Sequence, residues 1–447
     1  MPKDTKSPDI VDFILDLRFE DLPKATQEMA ELCVLDLIGV GIGGAETPLS
    51  GIIRDHSAAL FGGSGTRMMF DGRGCSPAGA ALAGGMTIDA LDAHDGYNPA
   101  KGHVGCGVLP TALAMAEATG LTDGQAFLAD IVVGYELGSR LAVALHATVP
   151  DYHTSGAWVA VACAAIGARR LGLGREQTRH ALGIAEYHGP RSQMMRCIDD
   201  PTMVKDGSGW GAMAGVSAAY LAQSGFTGAP AITMEAEDVA LHWADLGSRW
   251  LTNEQYFKPY PVCRWAQAPI EAVLSVKRAH NLTSDMVDHI EITTFHESVR
   301  LATSAPKTTE EAQYSTSYPC AVALVKGVVG PYEVSEAALN DPEILRISKG
   351  LIMVEDAYCN EHFPVQRYAK AALHLTDGRV LASDFMNPRW TAEDPPSAAD
   401  LRTKFHELAG PRVGTGRAGA IEQRLGALQN GGDMQGLIKL ICQPNQG

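Results

Sequence analysis

The chain has 447 residues, of which 46% are hydrophobic and 20% are charged. This balance is typical of a packed globular protein, and the length favours two domains. The formal net charge of −16 argues against nucleic acid and anionic membranes as partners, because both are bound through a basic face. A small anionic ligand remains compatible, since a local group of cations can bind one inside an acidic protein.

The nine cysteines are scattered and form no C-x-x-C pair. This pattern is typical of free thiols in a reducing compartment and gives no iron–sulfur or structural zinc signature. The first residues contain no apolar signal core, and no apolar run reaches the roughly 18 residues that a membrane span needs. We therefore expect a cytoplasmic protein with no membrane contact.

Helical periodicity runs through most of the first 265 residues. Apolar spacing predicts helices over 24–43, 110–119, 124–147, 156–171, 176–187 and 208–224. Pro110 is expected in the first turn of the second of these helices. Thr154 or Ser155 is expected to cap the helix that follows them. Helices so low in charge are typical of a buried bundle.

The pattern changes after residue 265. Val287–Phe295 alternates apolar and polar residues, which predicts a half-buried strand, and Leu351–Val354 predicts another. Asp377-Gly378 stands between two apolar runs, a strong hairpin signal. Helical periodicity returns over 396–443.

The fold class predicted from these elements is a multi-domain chain that combines α and α+β structure. A large all-α helical domain is expected over residues 1–265, completed by 396–447. A smaller α+β domain, which we call the lid domain, is expected to be inserted at 266–395. The active site would lie in the cleft between the two domains, where ligand sites often form.

The segment 92–103 reads Asp-Ala-His-Asp-Gly-Tyr-Asn-Pro-Ala-Lys-Gly-His. Such a loop packs poorly but can hold acid–base groups against a small substrate. The alternative is a solvated loop whose charges neutralise one another. The spacing matches no closed zinc or calcium pattern, so we expect no bound metal. The candidates for chemistry in this loop are Asp92, His94, Asp95, Lys101 and His103.

Further candidates lie in other loops. His153 precedes a predicted helix, whose positive end favours a neutral imidazole and attracts carboxylates. Lys205 lies in a polar loop that leads into a buried helix. Lys258 and Arg264 flank a rigid Pro-rich segment, from which they can clamp a carboxylate. Tyr318 can donate a hydrogen bond. Each has an ordinary alternative: a surface histidine, an ion-paired lysine or a packed tyrosine.

The order of these segments resembles the MmgE/PrpD family, which includes 2-methylcitrate dehydratase, cis-aconitate decarboxylase and iminodisuccinate epimerase. No single motif is specific, but their order over some 230 residues is. The anchors are the 92–103 loop with Val108-Leu109-Pro110, Gly134-Tyr135-Glu136, His153 to Gly156, Lys205, Gly225 to Gly228, Lys258 to Pro261, and Ser315 to Tyr318.

The resemblance implies a helical domain with an α+β lid, a homodimer, and neither a metal nor an organic cofactor. By position it places in one pocket Asp92, His103, His153, Lys205, Lys258 and Tyr318. The family's Asp-Phe-Asp-Asp-Thr segment reads Asp-Ala-His-Asp-Gly here, and a pocket histidine of the family appears as Gln267. Because glutamine transfers no proton, either His94 has taken over that role or the reaction differs.

The chemistry implied is proton transfer beside a carboxylate of a small di- or tricarboxylate. Cations must neutralise the enolate-like charge, and a base must reach the proton. We assign carboxylate binding to Lys205, Lys258 and Arg264, with Lys101 and Gln267 as further substrate contacts. His103 and His153 would transfer protons, Asp92 or Asp95 would orient an imidazole, and Tyr318 would assist a leaving hydroxyl.

Three functions remain open at this stage. The first is a lyase that dehydrates a hydroxy-polycarboxylate of the 2-methylcitrate type without a cofactor. The second is an isomerase that epimerises a small dicarboxylate, of the iminodisuccinate type, by two-base proton exchange. The third is a binding protein that keeps the pocket without turnover.

Overall fold

A computed structural model describes residues 9–445. The helices of the first part are α1 Ile10–Asp16, α2 Lys24–Gly44, α3 Pro48–Leu60, α4 Pro77–Asp89, α5 Gly105–Ala118, α6 Gly124–Thr148, α7 Gly156–Leu171, α8 Arg175–His188, α9 Met195–Asp199, α10 Ser208–Gln223 and α11 Ile232–Glu235. The short strands of this part are β1 Thr66–Arg67, β2 Gly74–Cys75, β3 Gly96–Tyr97 and β4 Gln255–Tyr256.

The second part mixes helices and strands. Its helices are α12 Arg264–His280, α13 His296–Arg300, α14 Thr309–Tyr314, α15 Ser317–Lys326, α16 Pro342–Gly350 and α17 Ala357–His362. Its strands are β5 Val287–Thr294, β6 Ile352–Glu355, β7 Ala369–Leu375 and β8 Val380–Ala382. The chain then ends with α18 Ala398–Ala427 and α19 Met434–Ile441.

The predicted helices are confirmed, and α7 has the predicted bounds. The start of α5 is the main error, because the helix begins at Gly105 and Pro110 lies inside it. Glycines make this early start possible. A Cβ on Gly107 would lie 2.2 Å from Val159 Cγ1, so only a glycine lets α5 approach α7 this closely.

Two main apolar clusters organise the described residues. The larger draws on residues 13–257 and on 401–442, and Phe405 of α18 is fully buried against α2. The second lies within residues 260–375. The predicted combination of a large helical domain with a smaller α+β domain is therefore confirmed. The boundaries after residues 265 and 395 stay a prediction.

The sheet of the lid domain has the strand order β6-β5-β7-β8. Strands β5 and β6 are parallel, whereas β5–β7 and β7–β8 are antiparallel. The predicted hairpin is confirmed: Leu373 pairs with Leu381, and Gly378 adopts the positive φ of 87° that the turn requires. Along β7, buried residues alternate with half-buried ones, as expected for a sheet with one covered face.

Within residues 9–445, no single helix is both long and apolar enough to cross a membrane. The helices α2 and α3 reach the required length and composition only as a pair bent by 95°.

The crossing of α4 and α10 depends on two glycines. Gly85 and Gly209 face each other, and a Cβ on Gly209 would lie 2.6 Å from the Leu82 carbonyl oxygen and 2.7 Å from the Met86 backbone nitrogen. Because backbone atoms cannot move aside as a side chain can, the two helices must separate if a side chain is added. This contact sets the start of α10, which follows the loop that carries Lys205.

We expect Gly209→Ala to lower the free energy of unfolding by about 1–3 kcal/mol, the usual cost of overpacking. Gly419→Ala is the matched control, because Gly419 lies in α18 with no atom within 4 Å of an added Cβ. There the better helix propensity of alanine should raise stability by up to about 1 kcal/mol. Urea denaturation of both variants measures the difference, and equal effects would contradict the close-contact argument.

Candidate active site

The loop over residues 92–103, which we call the acid–base loop, connects the end of α4 to the start of α5. The strands β3 and β4 hold it against the domain junction, with Gly96 paired to Tyr256. A Cβ on Gly96 would lie 2.5 Å from the Tyr256 hydroxyl oxygen. Gly96 therefore lets the Tyr256 side chain lie directly on the loop.

Side chains from distant segments fix the backbone of this loop. The hydrogen bonds join Gln313 Oε1 to Asp92 N at 3.0 Å, Lys404 Nζ to the Ala93 carbonyl at 2.8 Å, Ser155 Oγ to His103 N at 3.0 Å, and Trp158 Nε1 to the His103 carbonyl at 2.9 Å. The donors and acceptors come from α14, α18 and both sides of the α7 start. The loop is thus a rigid part of the fold rather than a solvated connection.

The predicted cap of α7 is wrong. Neither Thr154 nor Ser155 caps the helix through its side chain. Ser155 Oγ instead accepts from His103 N at 3.0 Å and donates to Asp206 Oδ2 at 2.7 Å. The hydroxyl is used to join two loops of the site.

A buried ion pair joins Asp92 to Lys258, which is fully buried. Lys258 Nζ donates to an Asp92 carboxylate oxygen and, at 3.2 Å, to the Asp92 carbonyl. Burial alone would raise the pKa of Asp92, but Lys258 and Lys205 outweigh it and hold that pKa well below its usual range. Burial also opposes the charge of Lys258, yet Asp92 and Tyr256 raise its pKa. Both groups are therefore charged.

Two histidines stand beside this pair. The rings of His94 and His103 are 4.3 Å apart at their centroids. Burial, the neighbouring imidazole and Lys258 lower the pKa of His94, and burial and Lys258 lower that of His103. Both imidazoles are therefore neutral. His103 Nδ1 lies 2.5 Å from the Asp95 carbonyl and must carry the proton, which leaves the lone pair on Nε2.

Lys205 lies close to the acid–base loop in an unusual backbone conformation, with φ at 48°. Its ammonium donates to Gln313 Oε1 at 2.8 Å and lies 4.9 Å from the centre of the Tyr314 ring. The predicted alternative was an ion pair with Asp199, Asp200 or Asp206. Within residues 9–445 Lys205 forms none of these pairs, and Asp199 pairs with Arg300 instead. Such strain is tolerated where the surroundings impose it, often at functional sites.

Two neighbouring carboxyl groups, those of Asp89 and Asp206, lie at the border of this cluster. Asp89 Oδ1 lies 3.8 Å from His94 Nε2. Burial and the neighbouring carboxylate of Asp206 raise the pKa of Asp89 to about 8, against the opposing effect of Lys205. Asp89 is thus protonated at neutral pH and is a candidate proton donor that the sequence analysis did not identify.

Tyr256 connects the histidines to two buried guanidinium groups. Its ring lies 6.3 Å from that of His103, and the Arg264 guanidinium lies 4.2 Å from its centre. Arg264 and Arg367 are 6% and 5% exposed, and neither forms a salt bridge within residues 9–445. Burial lowers the pKa of both, that of Arg264 to about 9. Together with Glu393 they line a narrow cavity of about 20 Å³.

Tyr318 lies elsewhere, in the apolar cluster of the lid domain. Its hydroxyl donates to the carbonyls of Glu333 at 3.3 Å and Ala338 at 3.2 Å. Tyr318 is the second residue of α15, which packs against α12. The predicted role of its hydroxyl in assisting a leaving group stays a prediction, and these contacts give it no support.

Gln267 and Asp95 also serve the framework. The Gln267 amide nitrogen donates to the carbonyls of Tyr260 and Val262, each at 3.0 Å, and so braces the Pro-rich junction, whereas its Oε1 has no hydrogen-bond partner within residues 9–445. The substrate contact expected of Gln267 stays a prediction. The Asp95 carboxylate accepts from Tyr135 inside the helical domain. Asp95 orients His103 through its backbone carbonyl, not through its side chain.

His153 and Lys101 stand at the edge of the site. His153 pairs with Gln193 in an isolated bridge, and burial and Arg191 lower the pKa of its imidazole. Lys101 is exposed, and its ammonium lies 5.7 Å from the ring centre of Tyr152. The structure thus groups Asp92, His94, His103, Lys205 and Lys258 closely, but not these two.

Sequence analysis missed several residues of the site. Gln313 lies two residues before the Ser315 to Tyr318 anchor, but its contacts with both Asp92 N and Lys205 Nζ depend on tertiary packing. Tyr256 precedes Lys258 by two residues and carried a weak positional signal. No sequence signal pointed to Arg367 or Asp89, because nothing in their neighbouring sequence marks them as buried beside the acid–base loop.

Neutral imidazoles beside buried ammonium and guanidinium ions are typical of enzymes that move protons on small anions. The MmgE/PrpD N-terminal domain matches residues 8–245, and the MmgE/PrpD C-terminal domain matches residues 260–427. The chain therefore belongs to the MmgE/PrpD family, as the order of its motifs predicts.

Curated relatives are similar over most of their length. The cis-aconitate decarboxylase of Aspergillus terreus is 23% identical over 471 residues, covering 96% of this chain and 94% of the relative. The cis-aconitate decarboxylase-like protein oryM of Aspergillus oryzae is 22% identical, with 98% of both chains covered. The mitochondrial 2-methylcitrate dehydratase of Yarrowia lipolytica is 24% identical, covering 83% of this chain and 77% of the relative. These names are those of lyases.

We expect Lys258→Met to lower the free energy of unfolding by about 3–5 kcal/mol, because it leaves the buried Asp92 charge unpaired. The double variant Lys258→Met with Asp92→Asn should recover much of this loss, since no buried charge remains. Lys326→Met removes the partly exposed Lys326–Asp341 pair and should change stability little. Chemical denaturation of the unmodified chain, Lys258→Met, Asp92→Asn, the double variant and Lys326→Met measures the coupling, and additive effects of Lys258→Met and Asp92→Asn would contradict a buried pair.

Proposed function

We propose that this chain is a lyase that dehydrates a small hydroxy-polycarboxylate without a bound cofactor. The observation that carries the proposal is the pair of buried guanidinium groups, Arg264 and Arg367, which form no salt bridge within residues 9–445. They border Tyr256, whose ring lies 6.3 Å from that of the neutral base His103. Cations without a carboxylate partner can bind the carboxylates of a substrate, and a base near them can remove the proton of a weakly acidic C–H bond.

The cations support carboxylate binding on energetic grounds. Arg264 Nη1 donates to the Phe257 and Arg389 carbonyls at 3.1 and 3.2 Å, but neither arginine has a salt-bridge partner within residues 9–445. A buried guanidinium without an anionic partner is costly, and the lowered pKa of Arg264 and Arg367 reflects that cost. A substrate carboxylate would supply the missing charge through paired hydrogen bonds. Lys258 is not available for this role, because Asp92 already neutralises it. The role assigned to Lys258 by its sequence position therefore passes to Arg367.

Proton abstraction is assigned to His103. Its Nδ1 proton is held by the Asp95 carbonyl, so the lone pair on Nε2 is available to take a proton next to a substrate carboxylate. The electron pair of the C–H bond then forms the carbon–carbon double bond, and the C–O bond breaks. Arg264, Arg367 and Lys205 stabilise the negative charge that develops on the carboxylate during this step.

The leaving hydroxyl needs a proton to depart as water. Tyr256 takes the place that sequence position suggested for Tyr318, because its ring lies between His103 and the Arg264 guanidinium. Burial raises the pKa of the Tyr256 hydroxyl, which keeps it protonated until the leaving group accepts the proton. Each turnover moves one proton to His103 and one from Tyr256, and solvent restores both groups.

The epimerase alternative has less support. Two-base exchange requires bases on opposite faces of the substrate carbon, and the second predicted base, His153, is not part of the close group of Asp92, His94 and His103. His94 and His103 lie side by side instead. This arrangement favours proton removal from one face, as a lyase requires.

The test is NMR in deuterated water after a thermal-shift screen of di- and tricarboxylates. The first compounds to test are citrate derivatives and cis-aconitate, because the names of the relatives refer to them. We expect alkene signals to appear from a hydroxy acid. Solvent deuterium incorporation without an alkene would instead identify an epimerase, and release of carbon dioxide would identify a decarboxylase. Stabilisation without turnover of any compound would identify a binding protein.

His103→Gln is the variant that tests the base. Loss of general-base catalysis typically costs about 10²–10⁴-fold in kcat. Because glutamine retains polarity and similar size, KM should change much less than kcat. Full turnover by this variant would exclude the assigned role.

We expect Arg367→Met to raise KM by about 10–100-fold, since a charge-assisted hydrogen bond contributes about 1.5–3 kcal/mol to binding. Arg379→Met is the control, because Arg379 is exposed on the hairpin and pairs only with Asp377. Steady-state kinetics with the substrate found above measures both variants. Equal KM values for the two would contradict a carboxylate site at Arg367.

A further inference from the structure

Asp92, His94 and His103 form a group whose composition is that of a metal site. One ligand atom from each residue lies within 4.8 Å of the other two. We propose that these three side chains bind a divalent transition-metal ion, with Zn²⁺ or Co²⁺ as the preferred class. The inference rests on this geometry alone and goes beyond the proposed function.

The spacing of the ligand atoms is close to what an ion requires. In a tetrahedral site with bonds of about 2.1 Å, ligand atoms lie about 3.4 Å apart. The ligand atoms now lie within 4.8 Å of one another, so each pair must approach by at most about 1.4 Å to reach that value. Two imidazoles and one carboxylate leave one or more positions open for water or a substrate oxygen.

His94 supplies an independent observation. Its side chain is fully buried, and neither ring nitrogen has a hydrogen-bond partner within residues 9–445. A buried polar group without a partner is costly, and such groups in folded proteins usually have an unseen ion or water as partner. A metal ion would use one nitrogen. Asp89 Oδ1, 3.8 Å from Nε2, is placed to accept a hydrogen bond from the other.

His103 is already oriented as a metal ligand would be. Its Nδ1 proton is held by the Asp95 carbonyl, the outer-shell contact that usually fixes the tautomer of a ligating histidine. The lone pair on Nε2 therefore points away from that carbonyl and is free to bind. No protonation change is needed before an ion can bind this residue.

The charges around the site decide which ion it takes. Lys258 occupies one Asp92 oxygen and Lys205 stands nearby, so two ammonium groups oppose a dication. Hard ions such as Mg²⁺ and Ca²⁺ depend on several carboxylates and are disfavoured here. Zn²⁺ and Co²⁺ accept imidazole nitrogens as ligands, which His94 and His103 supply, and should bind more tightly.

This inference departs from the expectation of a metal-free site. That expectation came from the spacing of the loop, which matches no closed zinc or calcium pattern, and from the resemblance to a family whose segment has an aspartate where this chain has His94. Exchanging that aspartate for a histidine converts a carboxylate-rich loop into a group with two imidazoles. The proposed ion is therefore a property of this chain, attached to the residue by which it differs.

The experiment titrates Co²⁺ into chelator-stripped, full-length protein without a polyhistidine tag. We expect one Co²⁺ per chain by elemental analysis, with visible absorption bands from the bound ion. His94→Ala and His103→Ala should each weaken binding by more than the roughly 10–100-fold that loss of an outer-shell partner costs. His280→Ala, which removes an exposed histidine at the end of α12, should bind as the unmodified chain does.

Stoichiometric Co²⁺ binding that depends on both histidines supports the site. Absence of binding, or binding unchanged in both variants, overturns it. If His94→Ala does not fold, His94→Asp is used instead, because it restores the family's carboxylate. In this variant the ratio of Co²⁺ affinity to Mg²⁺ affinity should fall below that of the unmodified chain. An unchanged preference in His94→Asp also overturns the proposal. These readouts do not involve turnover, so they stay interpretable if the dehydration proposal fails.

Discussion

The buried ion pair between Lys258 and Asp92 is the constraint on which the site depends. Lys258 belongs to the segment that leads into the lid domain, and Asp92 begins the acid–base loop of the helical domain. Both charges are removed from water, so neither can be left without the other at acceptable cost. The pair therefore fixes the distance between the loop and the junction, and it sets the positions of His94 and His103 relative to Tyr256.

The same pair divides the charges of the site into two groups. Asp92 and Lys258 neutralise one another, so the remaining cations are not used to balance the protein's own carboxylates. Arg264 and Arg367 are left buried without an acidic partner among the described residues. Glu254 and Glu393 line the same cavity, but neither forms a salt bridge with these two arginines within residues 9–445. These two cations, rather than the net charge of −16, support the anionic ligand that we propose.

Local patterns were enough to predict most of the fold. Helix α7 and the hairpin at Gly378 have short-range causes, namely apolar spacing and turn chemistry. The start of α5 could not be predicted this way, because it depends on Gly107 meeting Val159 of another helix. Within the site, the acid–base loop was found because its residues are adjacent in sequence. Arg367 was not, since its burial beside Tyr256 follows only from the packing of the two domains.

His94 brings the two proposals together. The family segment quoted above has an aspartate at that position, whereas the histidine of this chain adds a second imidazole beside His103. His103 Nε2 has one lone pair, which cannot hold both a substrate proton and a metal ion. The dehydration proposed above and the occupied metal site are therefore exclusive states of one chain. Because Lys258 opposes the ion and favours neutral imidazoles, the structure as it stands has the protonation that the base requires.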